Sequence, residues 1–203
     1  MQLTLPTTVR GFHDYYKLTA SPRDLTEAFG YVFEAETLSL SQASEELSWC
    51  RALQNKLSYA VSHLSFESEM MRREFLIAPV LFDVAQYLGA DLRSEYGIRV
   101  SEQLKGSLDY YVRAQQNICV VEAKQGDLSR GFSQLCAELI AVDQQGEITS
   151  DVLYGAVSFG DLWRFGRLVR SEKRITQDIG ILGVPVDTEK LVRVLIAILR
   201  GES

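Results

Sequence analysis

The segment that decides the fold spans residues 106 to 127 and reads GSLDYYVRAQQNICVVEAKQGD. Its second half holds an uninterrupted apolar run at residues 118 to 121, which is typical of a strand buried on both faces. Residues 115 to 117 supply a short turn before this run, so the segment predicts an antiparallel hairpin. The buried strand nevertheless ends on two charged residues, Glu122 and Lys124.

These charges have a partner in the first arm of the hairpin. Side chains alternate along a strand, so Glu122 and Lys124 face the same side of the sheet. Asp109 lies across from the neighbourhood of Glu122, near the spacing of about 5 Å that separates facing residues. Since facing carboxylates repel each other, a cation is needed to keep both of them ionised.

The chemistry of these three residues points to phosphate ester hydrolysis. Mg²⁺ accepts one or two carboxylates and leaves its other positions to water and to a substrate phosphate. Lys124 can orient or deprotonate an attacking water, or neutralise charge on the phosphoryl group in the transition state. The residues therefore predict a phosphodiesterase site with Mg²⁺ or Mn²⁺ as its cofactor.

Each residue also has a simpler interpretation. Glu122 and Lys124 can form an ordinary exposed ion pair at the end of a strand. Asp109 belongs to a turn instead of a strand if the strand is displaced by two or three positions.

The rest of the chain predicts helices and further strands around this hairpin. Helices are predicted from Ser21, from Ser41 to His63, over residues 66 to 92, over residues 127 to 142, and from Asp187 to Gly201. Further strands are predicted at residues 95 to 101, 151 to 159, 162 to 170 and 174 to 182. Pro79 predicts a kink in the third helix near residues 75 to 79, and residues 1 to 20 predict an extended arm.

Asp109, followed thirteen positions later by Glu122-Ala123-Lys124, resembles the D…E-x-K signature of the PD-(D/E)XK nuclease superfamily. Leu108 replaces the proline that precedes the aspartate in that signature. The helix EMMRREFLIAPVL, residues 69 to 81, is similar to the E-x-x-x-R-x-x-x-I-x-P-x-L pattern of type I restriction subunits. Gln134 is similar to the glutamine that follows E-x-K in several branches of the superfamily.

The resemblance implies an α/β restriction endonuclease-like fold, in which helices flank a central mixed sheet. It places a nuclease-like domain at residues 66 to 203 and an amino-terminal arm and helical cap at residues 1 to 65, within one compact unit. It implies a Mg²⁺-dependent deoxyribonuclease with five catalytic residues: Glu69, Asp109, Glu122, Lys124 and Gln134. The implied metal ligands are Glu69, Asp109, Glu122 and the carbonyl of Ala123. DNA is the implied partner, and cleavage of both strands is compatible with a homodimer.

A second function from a different class agrees with the charge of the chain. The net charge of −6 and the pI near 5.1 disfavour bulk coating of nucleic acid. A catalytically inactive module of the same fold, binding nucleic acid or a protein partner, is therefore the alternative.

One local stretch, residues 161 to 174, is basic and carries the arginines predicted to contact nucleic acid: Arg164, Arg167 and Arg170. These arginines equally fit a solvated face with ordinary ion pairs. Trp163 and Phe165, interleaved with them, fit either base stacking or the core.

The remaining composition indicates an unexported cytoplasmic protein. No run approaches the roughly 18 apolar residues of a membrane helix, so no membrane partner is expected. Cys50, Cys119 and Cys136 are odd in number and lack C-x-x-C spacing, which predicts buried free thiols. His13 and His63 lie far apart in sequence and do not predict a histidine metal site.

Overall fold

The structure, a computed structural model, describes residue 9 and residues 11 to 18, 20 to 124 and 126 to 202. In chain order the elements are α1 Phe12–Lys17, α2 Pro22–Ala28, β1 Val32–Glu36, α3 Cys50–His63, α4 Glu69–Arg72, a π-helical turn Arg73–Ile77, α5 Ala78–Leu88, β2 Asp91–Arg99, β3 Lys105–Ala114, β4 Asn117–Ala123, α6 Leu128–Gln145, β5 Val152–Ser158, β6 Leu162–Val169, β7 Arg174–Asp178, β8 Leu182–Gly183 and α7 Thr188–Arg200.

The strands form one mixed sheet of eight strands in the order β1-β7-β6-β5-β4-β3-β2, with β8 beside β6. The pairs β1–β7 and β4–β5 are parallel, and the other pairs are antiparallel. The predicted α/β class with a mixed sheet flanked by helices is therefore confirmed. The inner position of β4 explains why its sequence is an apolar run.

Helices cover both faces of the sheet and bury β4 from two sides. Ile118 and Val120 of β4 pack in the core formed with α6, whereas Cys119 and Val121 pack in the opposite core with α7. Helices α1 and α2 pack on α6, and helices α3 and α5 pack on α7. The alternation of two apolar faces along β4 is the pattern expected of a fully buried strand.

The predicted hairpin is confirmed, because β3 and β4 are antiparallel and connected at residues 115 and 116. Tyr110 pairs with Val121, and Ala114 pairs with Asn117. The same register carried one residue further places Asp109 across from Glu122.

The predicted irregularity of the third helix is a π-helical turn at residues 73 to 77. Pro79 has no N–H to donate to the preceding turn, and it lies directly after this turn, in the first turn of α5. Gly89 ends α5 with a φ of 63°, the left-handed conformation that glycine adopts without strain.

Two predictions in the amino-terminal third were wrong. Residues 12 to 17 form α1 and not an extended arm, and the part of that arm at residues 1 to 8 lies outside the described residues. The helix predicted from Ser41 begins only at Cys50, although Ala43 and Leu47 are buried before it as a helical period would require.

Strand β1 was not predicted at all. Its residues follow α2, which was expected to continue, but α2 ends at Ala28 and Gly30 turns the chain with a φ of 80°. β1 then pairs with β7, so residues before position 65 belong to the same sheet as residues after it. Within the described residues, no helix combines the length and apolar character needed to cross a membrane.

Candidate active site

Five predicted site residues line one open groove of about 790 Å³: Glu69, Asp109, Glu122, Lys124 and Gln134. They reach it from four elements and one loop position. Glu69 begins α4, Asp109 lies on β3, Glu122 lies on β4 and Gln134 lies on α6, whereas Lys124 directly follows β4. Residues separated by up to 65 positions in sequence therefore meet in one groove.

A row of three carboxylates crosses the sheet at the floor of this groove. Asp109 lies across from Glu122 on β4, as the hairpin register requires. On the other side Ser94 pairs with Tyr110 and Tyr96 pairs with Leu108, so Glu95 lies across from Asp109 on β2. Neighbouring strands are about 4.8 Å apart, and like charges in such a row destabilise one another.

Glu122 is the most deeply buried of these carboxylates. It is 1% exposed and forms an ion pair with Lys124, which is 6% exposed. Gln134 donates from Nε2 to the same oxygen, Oε1 of Glu122, at 2.7 Å. The second oxygen, Oε2, is buried without a hydrogen-bond partner among the described residues. The simpler interpretation of Glu122 and Lys124 as an exposed surface pair was therefore wrong.

Burial and charge shift the titration of this pair. Burial raises the pKa of Glu122 well above its usual value, and the charges of Glu138 and Asp109 raise it further. Burial by itself lowers the pKa of Lys124, but the charges of Glu122, Asp109 and Glu69 outweigh it and raise that pKa above its usual value. Lys124 therefore keeps its proton at neutral pH.

Asp109 is held in place by main-chain and side-chain donors. Its Oδ2 accepts a hydrogen bond from the N–H of Ala123 at 2.8 Å. Its Oδ1 lies 3.4 Å from Nη1 of Arg73, and the same nitrogen lies 2.6 Å from Oε1 of Glu95. Arg73 thus connects two members of the carboxylate row.

Glu69 is the helix glutamate that lies at the groove. Ser68 caps α4 by accepting a hydrogen bond from the N–H of Met71, which fixes the first turn where Glu69 lies. Glu74 is exposed and is not among the described residues that line the groove. The charge of Glu69 contributes to the raised pKa of Lys124.

The sequence analysis missed Glu138, a carboxyl group directly behind the groove. It is fully buried on α6, and Gln134 donates from Nε2 to its Oε1 at 2.9 Å. Burial, with a contribution from the charge of Asp109, raises the pKa of Glu138 to about 7. A signal was present in the sequence, because Glu138 is the one charged residue within the apolar run LCAELIAV at residues 135 to 142.

The three arginines predicted to contact nucleic acid are not brought together. Arg170 donates to Asp143 and to the carbonyls of Ile148 and Ser150, which fixes it in a buried network. Alternation along β6 places Arg164 and Arg167 on opposite faces. None of the three belongs to the described lining of the groove.

The aromatic residues of β6 and the cysteines are core residues. Trp163 and Phe165 are at most 1% exposed, so neither can stack on a base. The three cysteines are free thiols and buried, as predicted.

The donor set at the groove suits a hard divalent cation. Oε2 of Glu122 is a buried oxygen left unpaired within the described part of the chain, and Asp109 lies beside it. No group of three His, Cys, Asp or Glu side chains in the described ranges is arranged to hold a metal. Two carboxylates agree with the preference of Mg²⁺, which keeps most of its positions for water and phosphate oxygens.

Comparisons of the chain with protein-family models, with curated proteins and with solved structures found no match.

Proposed function

We propose that this protein is a metal-dependent phosphodiesterase of the PD-(D/E)XK type that cleaves DNA. The observation that carries the proposal is the meeting of all five D…E-x-K and accessory residues in one groove. Asp109 and Lys124 flank a buried Glu122 there, in the arrangement that the signature demands. The mixed sheet with helices on both faces supports a restriction endonuclease-like fold.

Glu122 and Asp109 would hold the ion, with the carbonyl of Ala123 and the carboxylate of Glu69 as further oxygen ligands. When bound, a divalent ion lowers the pKa of a water and stabilises negative charge on phosphoryl oxygens. Gln134 fixes Glu122 by donating to Oε1, and so leaves Oε2 as the oxygen available to a cation.

Lys124 can serve either of its two predicted roles at this site. Its ion pair with Glu122 supports the role of a fixed positive charge that orients the water and neutralises the phosphoryl group in the transition state. A bound divalent ion would offset the carboxylate charges that raise the pKa of Lys124, and would so favour its role as a base.

The charge of the groove supports a requirement for a cation. Its described lining holds five acidic and three basic side chains: Asp14, Glu69, Glu95, Asp109 and Glu122 against Arg99, Lys105 and Lys124. An excess of carboxylates repels a phosphodiester, and a bound divalent ion reverses this repulsion. Substrate affinity in the groove should therefore depend on the metal.

A nicking assay on supercoiled plasmid with Mg²⁺ or Mn²⁺ tests the proposal. Wild-type protein should nick the plasmid, while Lys124→Ala and Asp109→Ala should lose activity by about 100-fold or more. Glu74→Gln is the matched control, because it removes an exposed carboxylate outside the groove and should retain full activity. Equal activity in the wild type, Lys124→Ala and Asp109→Ala would contradict catalysis.

One observation favours the second candidate, a module of this fold that binds nucleic acid or a protein without cleaving. Lys124 already neutralises Glu122, and Arg73 already neutralises Asp109, so the carboxylates are compensated by the chain itself. Calorimetry with Mn²⁺ separates the two functions. A catalytic site takes up Mn²⁺ and loses it in Glu122→Gln, whereas a binding module takes up no specific ion.

A further inference from the structure

We propose that the site takes one divalent cation, because Arg73 occupies the position between Glu95 and Asp109 where a second cation would bind. The inference rests on the proposed metal-dependent function and specifies the stoichiometry of its cofactor. It also gives Arg73 a role as a positioning residue, because its guanidinium pairs with Glu95 and Asp109, two of the three carboxylates in the row.

The contacts of Arg73 are those of a fixed cation. One nitrogen, Nη1, lies 2.6 Å from Glu95 and 3.4 Å from Asp109. The guanidinium stands 5.3 Å from the centre of the Tyr110 ring, a distance suited to a cation–π contact. The hydroxyl of Tyr110 donates to the carbonyl of Arg73 at 3.3 Å. The side chain is 21% exposed, so these contacts are partly shielded from water.

The helix that carries Arg73 sets this placement. Glu69 and Arg73 are four residues apart, so they share one helix face, and the N–H of Arg73 bonds to the carbonyl of Glu69 as in a regular α-helix. The π-helical turn begins at Arg73 and changes the direction of the side chains that follow it. Glu69 therefore lines the groove, while Arg73 on the same helix face pairs with the carboxylate row.

Glu95 is held in an unusual conformation opposite this cation. Its φ of 52° lies in the left-handed region, although it is not a glycine and lies in the middle of β2. Such a conformation is strained for a residue other than glycine and persists where other contacts hold it. The 2.6 Å ion pair with Arg73, together with the pairing of β2 with β3 on either side of Glu95, supplies contacts of this kind.

The balance of charge across the row leaves room for one ion. Arg73 compensates the Glu95 and Asp109 end, and Lys124 compensates one oxygen of Glu122. Oε2 of Glu122 remains as the buried carboxylate oxygen of the row without a partner in the described chain. A second divalent ion between Glu95 and Asp109 would have to displace a partly buried guanidinium and is repelled by it.

Calorimetric titration with Mn²⁺ tests this stoichiometry. The wild type should bind one ion, and Arg73→Gln should bind two, because it exposes the oxygens of Glu95 and Asp109. Arg73→Lys keeps the charge and should still bind one. Adding Glu95→Gln to Arg73→Gln should return the stoichiometry to one. Circular dichroism and urea titration of each variant establish that it is folded.

The outcomes separate this inference from the proposed function. Two ions in the wild type, or one ion in Arg73→Gln, overturn the inference while leaving the phosphodiesterase proposal intact. No specific uptake in the wild type, together with no nicking, overturns both.

The single variant Glu95→Gln decides the matter if Arg73→Gln does not fold. We expect it to bind one Mn²⁺ ion within about threefold of wild-type affinity, since Glu95 is a partner of Arg73 and not a ligand. A tenfold loss of affinity for Mn²⁺ would show that Glu95 is a metal ligand, and would overturn the inference.

Discussion

Helix α6 carries two polar clusters, one near its middle and one at its carboxyl end, and the two clusters differ in how completely they are paired. At its carboxyl end Asp143 accepts from Nε of Arg170 at 2.6 Å and from the hydroxyl of Tyr31 at 2.6 Å. Arg170 also donates to the carbonyls of Ile148 and Ser150. In the first half of the helix, Gln134 joins Glu122 and Glu138 across the groove wall.

The second cluster leaves three buried oxygens unpaired within the described residues: Oε2 of Glu122, Oε1 of Gln134 and Oε2 of Glu138. None of the side chains in the Arg170 cluster has such an atom. An unpaired buried polar atom costs free energy of folding, so chains seldom keep one without a use. The fully paired cluster therefore supports the fold. In the other cluster, a proton shared between Glu122 and Glu138 or a bound cation can satisfy the unpaired oxygens.

The largest expected effect separates the two clusters by activity. Glu122→Gln should lower the rate of plasmid nicking by about 1000-fold, equivalent to about 4 kcal/mol, because it removes the charge that would hold the cation. Initial rates with Mn²⁺ measure this effect. Asp143 lies outside the groove, so Asp143→Asn should nick at the wild-type rate wherever it remains folded. Equal losses of nicking rate in Glu122→Gln and Asp143→Asn would contradict a catalytic role that is specific to the Glu122 cluster.

Breaking the fully paired cluster should reduce stability instead. Arg170→Met leaves the carboxylate of Asp143, whose side chain is 13% exposed, without its cation, and should cost about 3 kcal/mol of unfolding free energy. Urea titration measures the loss. Arg93→Met is the control, because the exposed ion pair of Arg93 with Asp91 contributes less than about 1 kcal/mol. A loss no greater than that of the control would show that burial adds nothing to the Arg170 pair.

The incompletely paired cluster should lose stability as the pH rises. Glu138 has a pKa of about 7 in the folded protein against a usual 4.5, so between these values the unfolded chain releases a proton that the folded chain retains. The contribution of Glu138 to the unfolding free energy should therefore be most favourable below about pH 4.5 and should be lost as the pH rises through 7. In EDTA at pH 8, Glu138→Gln should be more stable than the wild type by about 2 kcal/mol.

Urea midpoints at pH 5 and pH 8 measure this dependence. The stabilisation by Glu138→Gln should be nearly absent at pH 5, and Glu74→Gln should show no comparable difference between the two conditions. A variant that is less stable than the wild type at pH 8 would mean that the Glu138 carboxylate is compensated after all.

The smallest expected effect tests one hydrogen bond of the paired cluster. Tyr31→Phe removes the hydroxyl that donates to Asp143 and should cost about 1 kcal/mol of unfolding free energy. Tyr59→Phe, at a tyrosine that is 63% exposed, should be neutral in the same urea titration. If the two tyrosine variants have equal midpoints, the Tyr31 hydroxyl contributes nothing to the cluster.

Elements with a strong local signal were predictable from the sequence. The apolar run of β4 and the turn before it fixed the hairpin, and that register placed Asp109 opposite Glu122. Helix α6, predicted over residues 127 to 142, follows its Asp127 cap and ends three residues later than predicted, at Gln145. Helix α7 ends at Gly201 as predicted.

Features that depend on tertiary contacts were not predictable. Strand β1 exists because β7 offers it an edge, and nothing local in residues 32 to 36 requires a strand. The ion pair of Arg73 with Glu95 joins a helix to a left-handed residue of β2, and a left-handed residue other than glycine has no reliable sequence signal. The basic stretch around Arg170 suggested a contact with nucleic acid, because its composition does not reveal that Arg170 forms an ion pair with Asp143.

The central claim is that Asp109 and Glu122 bind a divalent cation beside Lys124, and a crystal soaked in Mn²⁺ tests it most directly. A single anomalous difference peak is expected within coordination distance of both carboxylates, with Arg73 still paired to Glu95. A crystal that shows no peak at the groove, or a peak bound only by exposed surface carboxylates, would contradict it.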